Sequence, residues 1–180
     1  LGDHRLVCGN ALEAATYVLL LQGEPVAMVF TDPPYNVRVD GHVGGLGKVR
    51  HREFAMASGE MSRSEFVAFL KAVFERMAAV SVDGAILFTC IDWAHLHEML
   101  EVDGLDVIAI GLGDLSASLG HPGEREHPEV WKAVESMSRQ IRDAGKWVAV
   151  ASVKDPGRYA NIGVQIFKES ATPMLRDRAL

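Results

Sequence analysis

A carboxylate, two prolines and a phenol follow one another at Asp32-Pro33-Pro34-Tyr35, directly after the apolar run Val26-Ala27-Met28-Val29-Phe30. The run reads as a strand, so the four residues sit at its carboxyl end, where open parallel sheets bind ligands. Neither proline can donate to a sheet ladder, and each pushes the residue before it into an extended conformation. The expected result is a stiff arm holding one hydrogen-bond-accepting carboxylate and one ring able to stack, both outside the sheet. A second carboxylate, Asp114, follows the apolar run Leu105 to Ile110 in the turn Gly111-Leu112-Gly113-Asp114-Leu115-Ser116. On its residues alone, Asp114 reads as a helix amino-terminal cap. His95 and His97 are two apart and diverge on a helix, so their spacing does not make a metal pair.

Alternating strand-like and helix-like segments must position these residues. Arg5-Leu6-Val7-Cys8 reads as a short strand, and Asn10 caps a helix running to about Leu21. The strand 26–30 leads into the proline arm. Residues 36–60 have no period and carry Gly41, Gly44, Gly45, Gly47 and Gly59, the mark of a long functional or disordered loop. Ser62 with Glu65 three residues on forms a capping-box pattern, and Phe66, Leu70, Val73, Phe74 and Met77 supply one apolar helix face. Asp83-Gly84 turns the chain into the strand Ala85 to Cys90, and Asp92 opens a short helix. After residue 101 come a strand to Ile110 and the loop Gly120-His121-Pro122-Gly123. The next helix has Pro128 in its first turn and the stripe Val130, Val134, Met137, Ile141. Gly145 closes it, and the strand Val148–Val153, a helical turn near Tyr159, the strand 164–167 and a last helix follow. The expected fold class is α/β: a mainly parallel sheet of about six strands, three on each side of residue 100, with flanking helices.

Composition sets the bounds. The 180 residues are 48% hydrophobic and 23% charged, with a net charge of −6, ordinary values for a globular domain. No apolar run reaches the roughly 20 residues a membrane span needs, and no leader pattern opens the chain. The near-immediate first strand suggests a piece of something longer. Cys8 and Cys90 lack metal-type spacing and are expected as buried thiols in a reducing, cytoplasmic setting. Neither half has a basic excess; Lys48, Arg50, His51 and Arg52 form the one short basic cluster, read equally as a solvated loop or a phosphate contact.

From His4 to about Leu100 the chain resembles the amino-terminal part of DNA methyltransferases acting on adenine N6 or cytosine N4. The resemblance rests on Asp32-Pro33-Pro34-Tyr35, on the upstream stretch from His4 to Ala11, and on the downstream stretch from His51 to Met61. It implies that Asp32 and the Pro33 carbonyl grip the N–H bonds of an exocyclic amine, with Pro34 shaping the arm and Tyr35 stacking on a flipped base. DNA would be the partner and S-adenosylmethionine the methyl donor. Asn10, in Gly9-Asn10-Ala11, occupies a cofactor-contact position that reads Gly-Asp-Ala in the family; it can hydrogen-bond but brings no charge. A Phe-x-Gly-Ser-Gly-like cofactor turn, which the family carries after its catalytic motif, does not occur downstream.

From about Gly104 onward the chain resembles the carboxyl-terminal part of metal-dependent pyruvate aldolases of the HpcH/HpaI type. The stretch Gly111 to Gly120, His127-Pro128-Glu129-Val130 and Ala144-Gly145-Lys146 carry this. The resemblance implies a (β/α) barrel origin, Asp114 as a ligand to Mg²⁺ or Mn²⁺, and backbone N–H groups of Gly113 and Asp114 holding the carboxylate of a small 2-oxo acid. Leu112 stands where the family has proline, and the family's second metal carboxylate, base histidine and substrate arginine belong to a portion upstream of the matching stretch.

Taken together, the expectation is a chimera: a Rossmann-like, methyltransferase-like segment over 1–101 joined to an aldolase-like segment over 102–180, fused into one sheet. Methyl transfer to DNA is the leading functional expectation, in incomplete form. A metal-dependent aldolase fragment and a non-catalytic α/β scaffold are the alternatives.

Overall fold

A computed structural model of the protein describes residues 2–38, 53–151 and 153–168. The chain divides into two compact units, Leu1–Ile91 and Asp92–Leu180. The basic cluster at 48–52, most of the glycine-rich loop and the last helix expected after residue 168 lie outside the described residues.

In the first unit, α1 (Ala14–Leu21) precedes β1 (Val26–Thr31), and α2 (Arg63–Ala79) precedes β2 (Ser81–Thr89). The two strands pair in parallel, Met28 opposite Ile86 and Thr31 opposite Thr89. The capping box forms as its residues require: Ser62 Oγ accepts from the Glu65 N–H, and the Glu65 carboxylate accepts from the Ser62 N–H at 2.8 Å. The Ser62 hydroxyl, donating to the same carboxylate at 2.6 Å, and then the Ser62 N–H hold the Glu65 carboxyl below its ordinary range. Phe66 and Val73 are buried on the face that the helical spacing predicts. The sheet itself is poorly covered, with Met28, Phe30, Ile86, Leu87 and Phe88 all exposed.

In the second unit, a 3₁₀ turn (Trp93–His95) runs into α3 (Leu96–Leu100), followed by β3 (Val107–Ile110), α4 (Leu112–Ser118), α5 (Pro128–Asp143), β4 (Trp147–Ala151), α6 (Pro156–Asn161) and β5 (Ile166–Lys168). The sheet is parallel throughout, in the order β3-β4-β5. Val130, Val134, Met137 and Ile141 lie on one stripe of α5 and bury against Ile108, Ile110, Val148 and Val150. Three of those four α5 residues are fully buried, so the stripe is the spine of this core. Gly145 follows α5 with φ 76°, the left-handed value that a helix stop uses and glycine adopts without strain.

The α/β class with parallel strands and flanking helices holds, whereas the single six-stranded sheet does not. Five strands are described, in sheets of two and three. The expected strand at Arg5–Cys8 is absent among the described residues because Arg5 is used differently. Its Nη1 donates to the Leu21 carbonyl at 3.0 Å and its Nη2 to Glu24 at 3.0 Å, tying the segment to the end of α1 rather than to a ladder. Leu6 is correspondingly 83% exposed. With two strands among its described residues, the first unit does not bear out the Rossmann-like half that was expected. Asn10 also does not cap α1; its Oδ1 accepts from the Leu12 N–H at 3.0 Å in a local turn, and Glu13 takes the cap position. Neither cysteine is in a disulfide, but Cys8 is exposed and Cys90 half-buried, so the expectation of buried thiols fails.

Candidate functional site

The Asp32 arm leaves the carboxyl end of β1 as its prolines dictate. Asp32 is exposed, and the Tyr35 hydroxyl donates to its carboxylate at 2.5 Å. The phenol is therefore folded back onto the acid. Asn36, with φ 57°, anchors the arm: its Nδ2 donates to the Met61 carbonyl at 2.7 Å, and its Oδ1 accepts from Gly59 and Met61 N–H groups. Glu60 closes the facing turn by accepting the N–H groups of Ala57 and Ser58, and its carboxyl is held low first by its own backbone N–H and then by those of Ser58 and Ala57. The arm is thus a well-tied turn with one exposed carboxylate.

Asp114 lies in the first turn of α4, four residues beyond the end of β3, with its side chain exposed. It is not the helix cap; Gly111 holds that position, and no side chain caps the helix. The first backbone bond into α4 runs from Leu115 N–H to Gly111 O at 2.9 Å, so the N–H groups of Gly113 and Asp114 have no acceptor within the helix. Arg125 reaches back to this turn, since a Cβ on Gly113 would come within 3.8 Å of its Nη2. Ser116, fully buried, donates to the Gly113 carbonyl at 2.8 Å and fixes the turn from inside. A single exposed carboxylate holds a divalent ion weakly against water. Among the described residues, no His, Cys, Asp or Glu group completes a cluster of three with Asp114. Those residues do not by themselves form a seat for Mg²⁺ or Mn²⁺ there.

The loop between α4 and α5 gathers a different set. His121 N–H bonds to Ser116 O at 2.8 Å, and from there the backbone advances in steps of three, Glu124 N–H to His121 O and His127 N–H to Glu124 O, both at 3.0 Å. Residues three apart in such turns fall on one side. His121, Glu124 and His127 consequently converge, each offering a ligand atom within 4.8 Å of the others. The two imidazoles stack at 3.5 Å between centroids and 19° between planes. His121 Nε2 contacts the Glu129 carboxylate at 2.9 Å, which is the main cause of the lowered Glu129 carboxyl pKa. The sequence reading missed this group. Its signal was the spacing His-x-x-Glu-x-x-His across Pro122 and Gly123, residues that favour consecutive tight turns.

A cleft of about 240 Å³ beside α5 is lined by Trp93, Leu96, Leu115, Leu119, Met137 and Gln140 among others, and by none of Asp32, Tyr35, Gly113 or Asp114.

Residues 89–169 match the HpcH/HpaI aldolase/citrate lyase family. Among curated proteins, a 4-hydroxy-2-oxo-heptane-1,7-dioate aldolase of Klebsiella pneumoniae is 44% identical over 71 residues, 38% of this chain and 27% of the relative. A 2-keto-3-deoxy-L-rhamnonate aldolase of the same organism is 48% identical over 62 residues, 34% of this chain and 23% of the relative. The chain spans about a quarter of the length of these relatives. A solved HpcH/HpaI aldolase from Desulfitobacterium hafniense aligns with a TM-score of 0.48 at 20% identity, over 93% of this chain and 66% of that one.

These findings bear out the aldolase-type resemblance of the second half. They overturn the leading functional expectation, because the family match and the named relatives are aldolases rather than DNA methyltransferases. Asp32, Pro33, Pro34 and Tyr35 lie outside the matched residues 89–169, and their expected catalytic role in methyl transfer finds no support in the comparisons. DNA as partner and S-adenosylmethionine as cofactor, with Asn10 as its contact, go with that role. Among the described residues, no helix is long and apolar enough to cross a membrane.

Proposed function

We propose that the second unit carries the substrate end of an aldolase-type carbon–carbon lyase acting on a small 2-oxo acid. The observation that carries this reading is the position of Asp114, exposed in the turn just beyond the carboxyl end of a parallel strand, inside the stretch that matches the aldolase family. Ligand sites of parallel α/β folds lie at that end. The names of the two relatives above, both aldolases of 2-oxo acids, support the substrate class.

Cleaving the bond next to an oxo group leaves negative charge on the remaining oxo-acid fragment, which already carries a carboxylate. Donors aimed at those oxygens are what a site must supply. Gly113 and Asp114 offer backbone N–H groups at the start of α4, and Arg125 brings a guanidinium to the same turn. Gly113 permits close approach because it adds no side chain between backbone and ligand. Asp114 itself repels a bare dianion, so its carboxylate serves the reaction only opposite a cation, which the described residues do not complete. The aldolase-like reading rests on the matched residues 89–169.

Oxaloacetate decarboxylation, followed with and without added Mn²⁺, tests the proposal. With Mn²⁺ present, turnover that Asp114→Ala reduces by at least about a hundredfold is expected, on the scale of losing one electrostatic catalytic contact. Absence of turnover, or turnover indifferent to that substitution, refutes it.

A further inference from the structure

We propose that the loop between α4 and α5 is a transition-metal site, with His121, Glu124 and His127 as its three protein ligands. The inference does not rest on the aldolase reading and concerns none of the residues assigned to it.

Two imidazoles and one carboxylate are the donor set that Zn²⁺ favours, and softer than the all-oxygen set of Mg²⁺ or Ca²⁺. The backbone is already arranged for it. The loop is fixed at one end by the His121 N–H bond to Ser116 O at 2.8 Å. At the other end His127 is the cap of the sixteen-residue helix α5, with Pro128 in its first turn. Binding therefore needs side-chain rotation rather than loop rearrangement. Ligand atoms around tetrahedral Zn²⁺ at 2.0–2.1 Å stand roughly 3.3 Å apart. The present separations, none above 4.8 Å, close to that value by about 1.5 Å at most.

The neighbouring contacts show which ring nitrogens serve. His121 Nε2 faces the Glu129 carboxylate at 2.9 Å. A carboxylate behind one nitrogen fixes the tautomer and raises the basicity of the other, the usual outer partner of a metal-bound histidine. Nδ1 of His121 is then the ligand and Glu129 its support. On His127, Nδ1 accepts the Glu129 N–H at 3.3 Å. Coordination through Nε2 displaces the proton there and gives up that bond, whose length already marks it as weak. Glu124 is exposed, so the remaining coordination positions face solvent and stay open to water or an anion.

Titration of the chelator-stripped full chain with Zn²⁺ by calorimetry, and with Co²⁺ by visible absorption, tests this. One saturable site with Co²⁺ d–d bands and no thiolate charge-transfer band is expected. His121→Ala, His127→Ala and Glu124→Gln should each weaken it at least about a hundredfold, and Glu129→Gln by about 10–100-fold, the range for an outer partner. Glu124→Gln keeps the test decisive if a histidine variant disturbs the α5 cap, because Glu124 is a surface side chain. Asp114→Ala, Cys8→Ser and Cys90→Ser should leave binding unchanged. No saturable binding, binding that survives Glu124→Gln together with His121→Ala, or binding lost with Asp114 or a cysteine, overturns the proposal.

Discussion

Truncating Ile141 to alanine should unfold the second unit at markedly lower temperature or denaturant. Ile141 is 0% exposed and lies in the α5 stripe facing β3 and β4. The change removes three carbon groups, about 2.4 kcal/mol at roughly 0.8 kcal/mol each. The hole left between Ile141 and the buried Val134 and Val148 adds a cavity cost, bringing the total to about 3–4 kcal/mol. A unit of this size is stable by about 4–12 kcal/mol, so the loss is a large share of the whole. Each kcal/mol lowers the melting temperature of such a domain by about 4–8 °C, so a drop beyond about 12 °C is expected. Amide exchange read on α5 and β4, with a circular-dichroism melt, measures it. Glu135→Ala, at an exposed position of the same helix, is the reference and should stay within about 0.5 kcal/mol. A cost below about 1 kcal/mol for Ile141→Ala would refute the burial argument for α5.

Three further outcomes are expected. Ser62→Ala should cost about 1 kcal/mol and speed amide exchange in the first turn of α2, because it removes one side of the capping box. Arg158→Ala should cost about 0.5–1 kcal/mol in a urea melt, since its guanidinium lies 3.8 Å from the Trp131 ring centroid at the surface. The third concerns pH. The Glu129 carboxyl is held low, first by its hydrogen bond to His121 and then by that ring's charge. A folded pKa below the unfolded one contributes stability above the unfolded value, and that contribution is lost as pH falls through the folded one. NMR titration of Glu129 should show the depressed midpoint, and His121→Ala should move it back up toward the ordinary carboxylate value.

The elements of the second unit were legible because each carries a strong local signal. The i, i+4, i+7, i+11 stripe of Val130, Val134, Met137 and Ile141 permits one helix face, and Pro128 and Gly145 punctuate its ends. The first unit was less legible. Leu6 and Val7 look like strand residues, but Arg5 just before them donates to carbonyls at the end of α1, a tertiary choice that no local pattern reveals. Sheet membership was likewise hidden, since an apolar run such as Val26–Phe30 specifies a strand without naming its neighbour. At the site, Asp114 was visible through its glycine-rich turn. The convergence of His121, Glu124 and His127 was not, because it depends on two consecutive three-residue turns rather than on helix or strand period. The Asp32 arm misled for the opposite reason: a vivid local motif implied chemistry that the family match and named relatives contradict.

Substrate contact at the α4 turn is the claim on which the functional reading stands, and a pyruvate titration of the labelled full chain, followed by amide NMR, tests it most directly. The account predicts saturable shifts centred on the Gly113 and Asp114 N–H groups, and their loss in Arg125→Ala. Shifts that are absent, or that centre on another part of the chain, would contradict it.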